Sequence, residues 1–286
     1  MAGNRALELL TGESSGHAFA MTWAPPAALR ALTWDSGVES EPEALATVAS
    51  ALSLDLAFVP ASVDWAAEAA WRLAEDGIAV GWIVDGPFGR VAAQLGWEPA
   101  LAMTASRPGE LAARLDEALH ESLEDARNGL SAGAEVLLVA DELAGASGWL
   151  VSPDYALDAL IPCYRRIVVE WQDRGPAAFH SDGDVRAVMP ALSSAGFAGI
   201  HLGLPGSAGL QALVAGAAAS GLCAIGGIGV QELHEHGARH TGERAADLAR
   251  LGRIIIADDG GMSAGEELAA FSAALDVARN ALLHTE

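Results

Sequence analysis

The chain has no lysine: its sixteen basic residues are all arginines, set against 38 aspartates and glutamates, for a formal charge of −22. A lysine Schiff base is thereby excluded, and with it lysine-dependent aldol chemistry and PLP catalysis. So little positive charge argues against nucleic acid as a partner, since phosphate backbones are held by basic side chains. It also disfavours an anionic membrane surface. There are only two cysteines, Cys163 and Cys223, too few for a disulfide framework and without CxxC spacing. No apolar run reaches the roughly 18 residues of a membrane span. The N-terminal MAGNRALELLTGESSG lacks the charged-then-apolar pattern of a secretion signal. The expectation is a soluble, cytoplasmic protein without nucleic-acid or membrane partners.

What the sequence does have is apolar content, 51% of 286 residues, enough to bury a large core. It is distributed in eight short apolar segments: 17–23, 54–59, 78–84, 135–140, 177–179, 197–202, 222–225 and 253–257. Between them lie stretches of helical spacing. The clearest is 108–132, where Leu111, Leu115, Leu119, Leu123 and Ala126 form a stripe. Helices are also expected over 41–52, 63–76, 155–173, 185–195, 206–220, 231–251 and from Ser263 or Gly265 to about 283. Ser152 or Asp154 would cap the fourth of these eight helices, Pro162 would kink it, and Asp184 would cap the fifth. Eight such units, with no GxGxxG after the first, predict a single-domain (β/α)8 barrel over 1–286 rather than an open doubly wound sheet.

In a barrel, chemistry gathers where the strands end. Read there, the sequence offers Trp23, Asp85, Asp141, Glu142, His180, Asp182, His201, Asp258 and Asp259, with glycines that include Gly226 and Gly227. His180 and Asp182 lie two apart after the fifth strand, so their side chains can converge. Asp182 has four possible roles: acid/base group, tautomer-setting partner of the imidazole, metal ligand, or turn residue. Of the adjacent Asp141 and Glu142, only one can face the barrel axis. Tyr155 would reach over the mouth or pack. Trp23 and Trp149 would line a pocket for a flat ligand or serve ordinary packing. Gly226 and Gly227 would allow backbone to approach a ligand. The segment His234-Glu235-His236 with His240 has metal-like letters at i,i+4 spacing, and reads more simply as a solvated face.

Six segments in order carry a family resemblance: GPFG (86–89), AGAEVLLVADE (132–142), VSPDYALDALIPCYRRIV (151–168), FHSDGDVRAVMPALSSAGFAGIH (179–201), AIGGIGVQEL (224–233) and GRIIIADDGG (252–261). Together they resemble the uroporphyrinogen decarboxylase superfamily, which includes tetrapyrrole decarboxylases and methylcobamide methyltransferases on one barrel fold. The resemblance covers 78–283 and is weak over the first 60 residues, a divergent N-terminal part. It favours Asp141 as the inward carboxylate, so the expected catalytic set is His180, Asp182 and Asp141. Trp23, Asp85, Tyr155, His201, Gly226, Gly227 and Asp258 are the expected substrate contacts.

Two departures bear on function. The decarboxylases carry an arginine-rich segment near the N-terminus that grips substrate carboxylates; here the region reads HAFAMTWAPPAALR, with Arg30 alone. The methyltransferases hold zinc through His-x-Cys and a distant cysteine; here Asp182 stands at the first cysteine position and ADDGGM (257–262) at the second. His180 and Asp182 with Asp258 or Asp259 would instead suit a harder divalent metal. The resemblance implies one-carbon transfer on a small neutral or aromatic substrate, with a divalent metal or a corrinoid carried by a partner protein as cofactor. A homo-oligomer is the other partner expected. The alternatives are decarboxylation of a tetrapyrrole-type carboxylate, or a non-catalytic barrel subunit that docks a corrinoid protein.

Overall fold

The computed structural model describes residues 4–14, 16–33, 37–205 and 209–283. Each of the eight apolar segments forms a strand: β1 (Ala18–Met21), β2 (Leu56–Pro60), β3 (Ala79–Asp85), β4 (Val136–Ala140), β5 (Ala177–Ser181), β6 (Gly199–Leu202), β7 (Cys223–Ile228) and β8 (Ile254–Asp258). They pair in parallel in chain order, and β8 closes on β1 through Ala18↔Ile255 and Phe19↔Ile256, completing the (β/α)8 barrel.

The strands are buried on both faces, and alternate residues serve two different cores. Ala18, Ala20, Leu56, Phe58, Leu138, Ile225 and Ile255 fill the barrel, while Phe19, Met21, Val59 and Leu137 face the helices. The interior is packed tightly enough to need glycine: a Cβ on Gly81 would overlap the Phe58 ring. A short helix, Arg5–Thr11, closes the bottom with Leu9 and Leu10 in the interior cluster. Its cap Asn4 accepts from the Ala6 amide at 3.0 Å and donates to the Asp55 carbonyl at 2.7 Å.

Several helix boundaries differ from expectation for identifiable reasons. The helix after β5 runs Met189–Ala195, because Pro190 fits the first turn and Val185–Val188 forms a turn instead. Asp184 is therefore no N-cap; it accepts from the backbone and guanidinium of Arg186. Ser152 does cap its helix, accepting from the Tyr155 amide at 3.2 Å. Beyond Tyr155 comes a π-turn over Ala156–Leu160, then the helix Ile161–Trp171, with Pro162, which has no N–H to donate, in its first turn. The helix after β7, Val230–Leu248, is interrupted at Gly237, whose φ of 77° and ψ of 168° a side chain would resist. The helix after β6 spans Leu210–Ala219; the first residues expected for it, 206–208, lie outside the described residues. After β4, the Gly-rich loop forms a small hairpin of Ala144–Gly145 and Gly148–Trp149. No helix among the described residues is long and apolar enough to cross a membrane.

Candidate active site

At the end of β5, His180 lies in register with His201 on β6, and the rings meet Nδ1 to Nδ1 at 2.7 Å. The other ring nitrogen of His201 sits 2.9 Å from the Asp258 carbonyl oxygen, which can only accept. His201 Nε2 therefore carries a proton. Burial, and then the charge of His180, push the His201 pKa down to about 3, so its Nδ1 is a bare acceptor. His180 must then donate through Nδ1, which turns its Nε2 to the barrel mouth.

The group waiting there is Glu142. Its Oε1 lies 3.5 Å from His180 Nε2, and its Oε2 accepts from the Asp182 amide at 2.9 Å. Burial opposes charge on His180, but the hydrogen bond to Glu142 and its negative charge outweigh it and raise the imidazole pKa. Burial works against the Glu142 carboxylate too; contact with His180 overcomes it and lowers the Glu142 pKa. Asp182 goes the other way, raised by burial and then by the charge of Glu142. Its Oδ1 accepts from the Leu204 amide at 2.8 Å. Ser181 secures the junction, accepting from the Leu143 amide at 3.0 Å and donating to the Asp182 carbonyl at 3.0 Å.

Of the adjacent Asp141 and Glu142, expected to send one side chain inward, Glu142 meets His180, while Asp141 lines the smaller of the two cavities described below. Asp141 is 1% exposed, and its oxygens accept from the amides of Phe88 (3.0 Å) and Gly89 (2.7 Å) and from the Tyr164 hydroxyl (2.9 Å). It anchors the start of the helix Pro87–Leu95, and Gly86 is needed there because a Cβ would overlap the Asp141 side chain. Burial pushes the Asp141 carboxyl up to about 7 despite these donors. Asp258 is likewise removed from the candidate metal group. Fully buried, it accepts from the Thr22 amide and hydroxyl and the Gly260 amide, and burial raises it to about 6.

The remaining candidates are dispersed. Trp23 stacks on Trp65 with centroids 6.1 Å apart, and Tyr155 and Trp149 pack partly buried against the helix-side core. Gly226 and Gly227 are buried within β7 at φ of 138° and 112°. His236 and His240 stack edge to face on the exposed surface, whereas His234 meets Glu267 at 3.0 Å. Asp85 is exposed beside Arg90, whose guanidinium is occupied by Glu121, Asp125 and Ser122. Arg30 pairs with Glu41.

Two cavities open on the site, and Glu142 and His180 line both. One, of about 570 Å³, extends over Asp182, Gln231, His234 and Asp259. The other, of about 490 Å³, extends over Asp85, Gly89, Arg90, Gln94 and Trp97, a residue 43% exposed. Sequence reasoning missed Trp97 as a lining residue, because it starts a helix (Trp97–Ser106) rather than ending a strand.

A closed barrel with a histidine and two carboxylates at its mouth defines a (β/α)8-barrel protein with an enzyme-like site. The chain belongs to the uroporphyrinogen decarboxylase (URO-D) family, whose model matches residues 38–211, more than half of the sequence. That match starts earlier and stops sooner than the motif resemblance. No curated protein matches the sequence. Among solved structures, a methyltransferase from Methanosarcina mazei superposes with a TM-score of 0.70 at 17% identity, covering 95% of this chain and 97% of that one. A putative vitamin-B12-independent methionine synthase from Listeria monocytogenes gives 0.55 at 13% identity, covering 93% and 96%. An L-ribulose 3-epimerase gives 0.55 at 12%, covering 94% and 95%. At these identities the likeness shows the fold alone.

A thiolate-bound zinc does not suit this site. Cys163 lies on the helix Ile161–Trp171 with its thiol directed to the Ala159 carbonyl, and Cys223 is buried inside the barrel, its pKa pushed up to about 12 by burial. Glu142, His180 and Asp182 do offer ligand atoms within 4.8 Å of one another. One imidazole and two carboxylates fit a hard divalent cation.

Proposed function

We propose that this protein transfers a one-carbon group, a methyl, between two reactants that meet at Glu142 and His180. The observation that carries the reading is the pair of cavities with these two residues in common. Two cavities that meet at one acid–base pair can hold two reactants within reach of each other, as a transfer requires. Exposed Trp97 suits the 490 Å³ cavity to a small aromatic reactant. His180 takes the acceptor's proton at Nε2, and Glu142 stabilises the imidazolium that results. His201 holds the ring in the tautomer that leaves Nε2 facing the reactants. Asp182 lines the larger cavity and orients the reactant there. A corrinoid carried by a partner protein is the donor this reading favours.

A second reading is supported by the proximity of the three donor groups: a divalent cation held by Glu142, His180 Nε2 and Asp182. Such a cation supplies Lewis acidity to the acceptor when bound. His201 would fix the ligand histidine from behind, the usual arrangement for a metal-bound imidazole. Decarboxylation of a polycarboxylate is disfavoured, because carboxylates crowd the mouth and both Arg30 and Arg90 are already paired.

The test uses free methylcobalamin with a panel of small thiols and phenols, followed by loss of the methyl-corrinoid absorbance. Turnover that falls about 10²–10⁴-fold in Glu142→Gln and His180→Ala supports the acid–base role. Elemental analysis of protein purified without chelators or affinity-tag metal decides between the two readings. Failure to demethylate the corrinoid with every acceptor, together with decarboxylation of uroporphyrinogen at about 1 s⁻¹, would overturn the proposal.

A further inference from the structure

We infer that Ser181 is a positioning residue that keeps Glu142 against His180, at the wall the two cavities share. The inference rests on the proposed function only in treating those two residues as the working pair. Glu142 lies two residues beyond the end of β4, past the strand ladder, so its placement depends on its neighbours. Asp141, before it, is locked by the Phe88 and Gly89 amides, and its own amide donates to the His180 carbonyl at 3.1 Å. Leu143, after it, is fully buried and donates its amide to Ser181 Oγ at 3.0 Å. The Ala144 amide reaches the same oxygen at 3.4 Å.

The hydroxyl has one proton and two lone pairs, and all three are used. It accepts both amides from the chain leaving β4 and donates to the Asp182 carbonyl, 3.0 Å away, in the chain leaving β5. One side chain, 2% exposed, therefore ties together the segments that carry Glu142 and Asp182. Packing alone does not do this. The segments touch at Gly183, at φ of 75°, where a Cβ would lie 2.6 Å from the Gly145 carbonyl oxygen. That contact fixes how close they come, and the Ser181 hydroxyl fixes how the chain at Leu143 is turned. Glu142 answers across the same junction by accepting from the Asp182 amide. Burial works against its charge, whereas the His180 contact, the Asp182 amide and the Ser181 hydroxyl all favour it. Without that hydroxyl the amides of buried Leu143 and Ala144 lose an acceptor. The chain at 142–144 must turn to find another, and Glu142 turns with it.

The test reads the His180 ring directly. Long-range proton–nitrogen NMR spectra of histidine-labelled, chelator-treated protein are compared at one pH for wild type, Ser181→Ala and Glu142→Gln, with His180→Ala assigning the signals. The His180 nitrogens of Ser181→Ala should shift toward those of Glu142→Gln, and Ser181→Thr, which keeps the hydroxyl, should return them. Ser181→Cys keeps the shape with a weak donor and acceptor. It should fall between, and it stands in if alanine does not fold. Ser181 is not among the residues lining either cavity, so in methyl transfer KM should hold. Over the same change kcat should fall by about 10²-fold, the cost of misplacing a working group by about an ångström. Ser181→Ala placed on top of Glu142→Gln should add almost nothing. Wild-type His180 signals in Ser181→Ala, or in Ser181→Cys where alanine fails, overturn the inference. So does a loss that multiplies in the double variant. The spectra are read without turnover. Absent methyl transfer would count against the proposed function and leave the positioning role standing, and unshifted spectra would do the reverse.

Discussion

His180 and His201 share one proton along a 2.7 Å Nδ1–Nδ1 contact between adjacent strands, and the Asp258 carbonyl decides which of them donates it. A chain of fixed roles runs from that carbonyl through His201 to His180 Nε2, at the cavity wall.

The first prediction concerns the middle of that chain. His201→Leu removes the acceptor for His180 Nδ1–H and the donor to Asp258. His180 is then free to present either nitrogen, and kcat should fall by about 10²-fold, the lower end of an acid–base contribution. His201→Gln keeps an acceptor and a donor on one side chain and should recover most of the rate. Loss of the buried hydrogen bonds should cost His201→Leu about 1–3 kcal/mol of stability, and His201→Gln less. The pH–rate profile separates positioning from stability. If it is unchanged in His201→Leu, or if Gln fails to rescue, the residue has only a packing role.

The barrel itself was legible because most of the strands are compact apolar runs closed by Gly, Pro or Asp, as in IAVGWIVDGP around β3. His180 was legible for the same reason, as a polar residue where such a run stops. Glu142 was not. The chain leaves β4 at Ala140, and which of the next two carboxylates turns inward is set by Phe88 and Gly89 amides more than fifty residues earlier. The pairing of His180 with His201 depends on strand register, which apolar content does not encode when both strands are buried on both faces. Helices departed from the periodicity where one residue outweighed it: Pro190 sets the start after β5, and Gly237 interrupts the helix after β7.

The second prediction follows from Asp141. Its folded pKa, about 7, lies above its ordinary 3.8, so the folded state holds a proton that the unfolded state has released. Its contribution is fully present below about pH 3.8 and is lost as pH rises through about 7. Asp258, raised to about 6, acts in the same direction. His201, depressed to about 3, acts oppositely: it destabilises the fold as pH drops below the ordinary imidazole value of 6.5. Asp141→Asn isolates one of these. At pH 5 the variant should be the less stable, because Asn has one oxygen for the Phe88 and Gly89 amides that now use two. Between pH 5 and 8 the gap should narrow by up to a few kcal/mol, measured as denaturant midpoints at fixed ionic strength. A gap independent of pH would show that Asp141 is ionised throughout.

The last prediction uses Gly203, the residue that lets Asp182 lie where it does. A Cβ at 203 would overlap Asp182 Oδ1 and come within 3.0 Å of His180 Cε1. The backbone at 203 is not in the left-handed region, so alanine adds no conformational strain there. The chief obstacle is the carboxylate, the movable end of a side chain, and His180 has to give only slightly. In Gly203→Ala, Asp182 must swing away and give up the Leu204 amide, a loss of about 1 kcal/mol for one hydrogen bond at the surface. The melting temperature should therefore change little. If Asp182 belongs to the working site, turnover should drop sharply, and any divalent cation bound by Glu142, His180 and Asp182 should weaken with it. The paired variant Asp182→Asn should give a similar loss, and Gly203→Ala placed on top of it should add almost nothing. Additive losses in the double variant would mean that Gly203 acts through something other than Asp182, and an Asp182→Asn variant with full turnover would make this carboxylate a turn residue with no part in the chemistry.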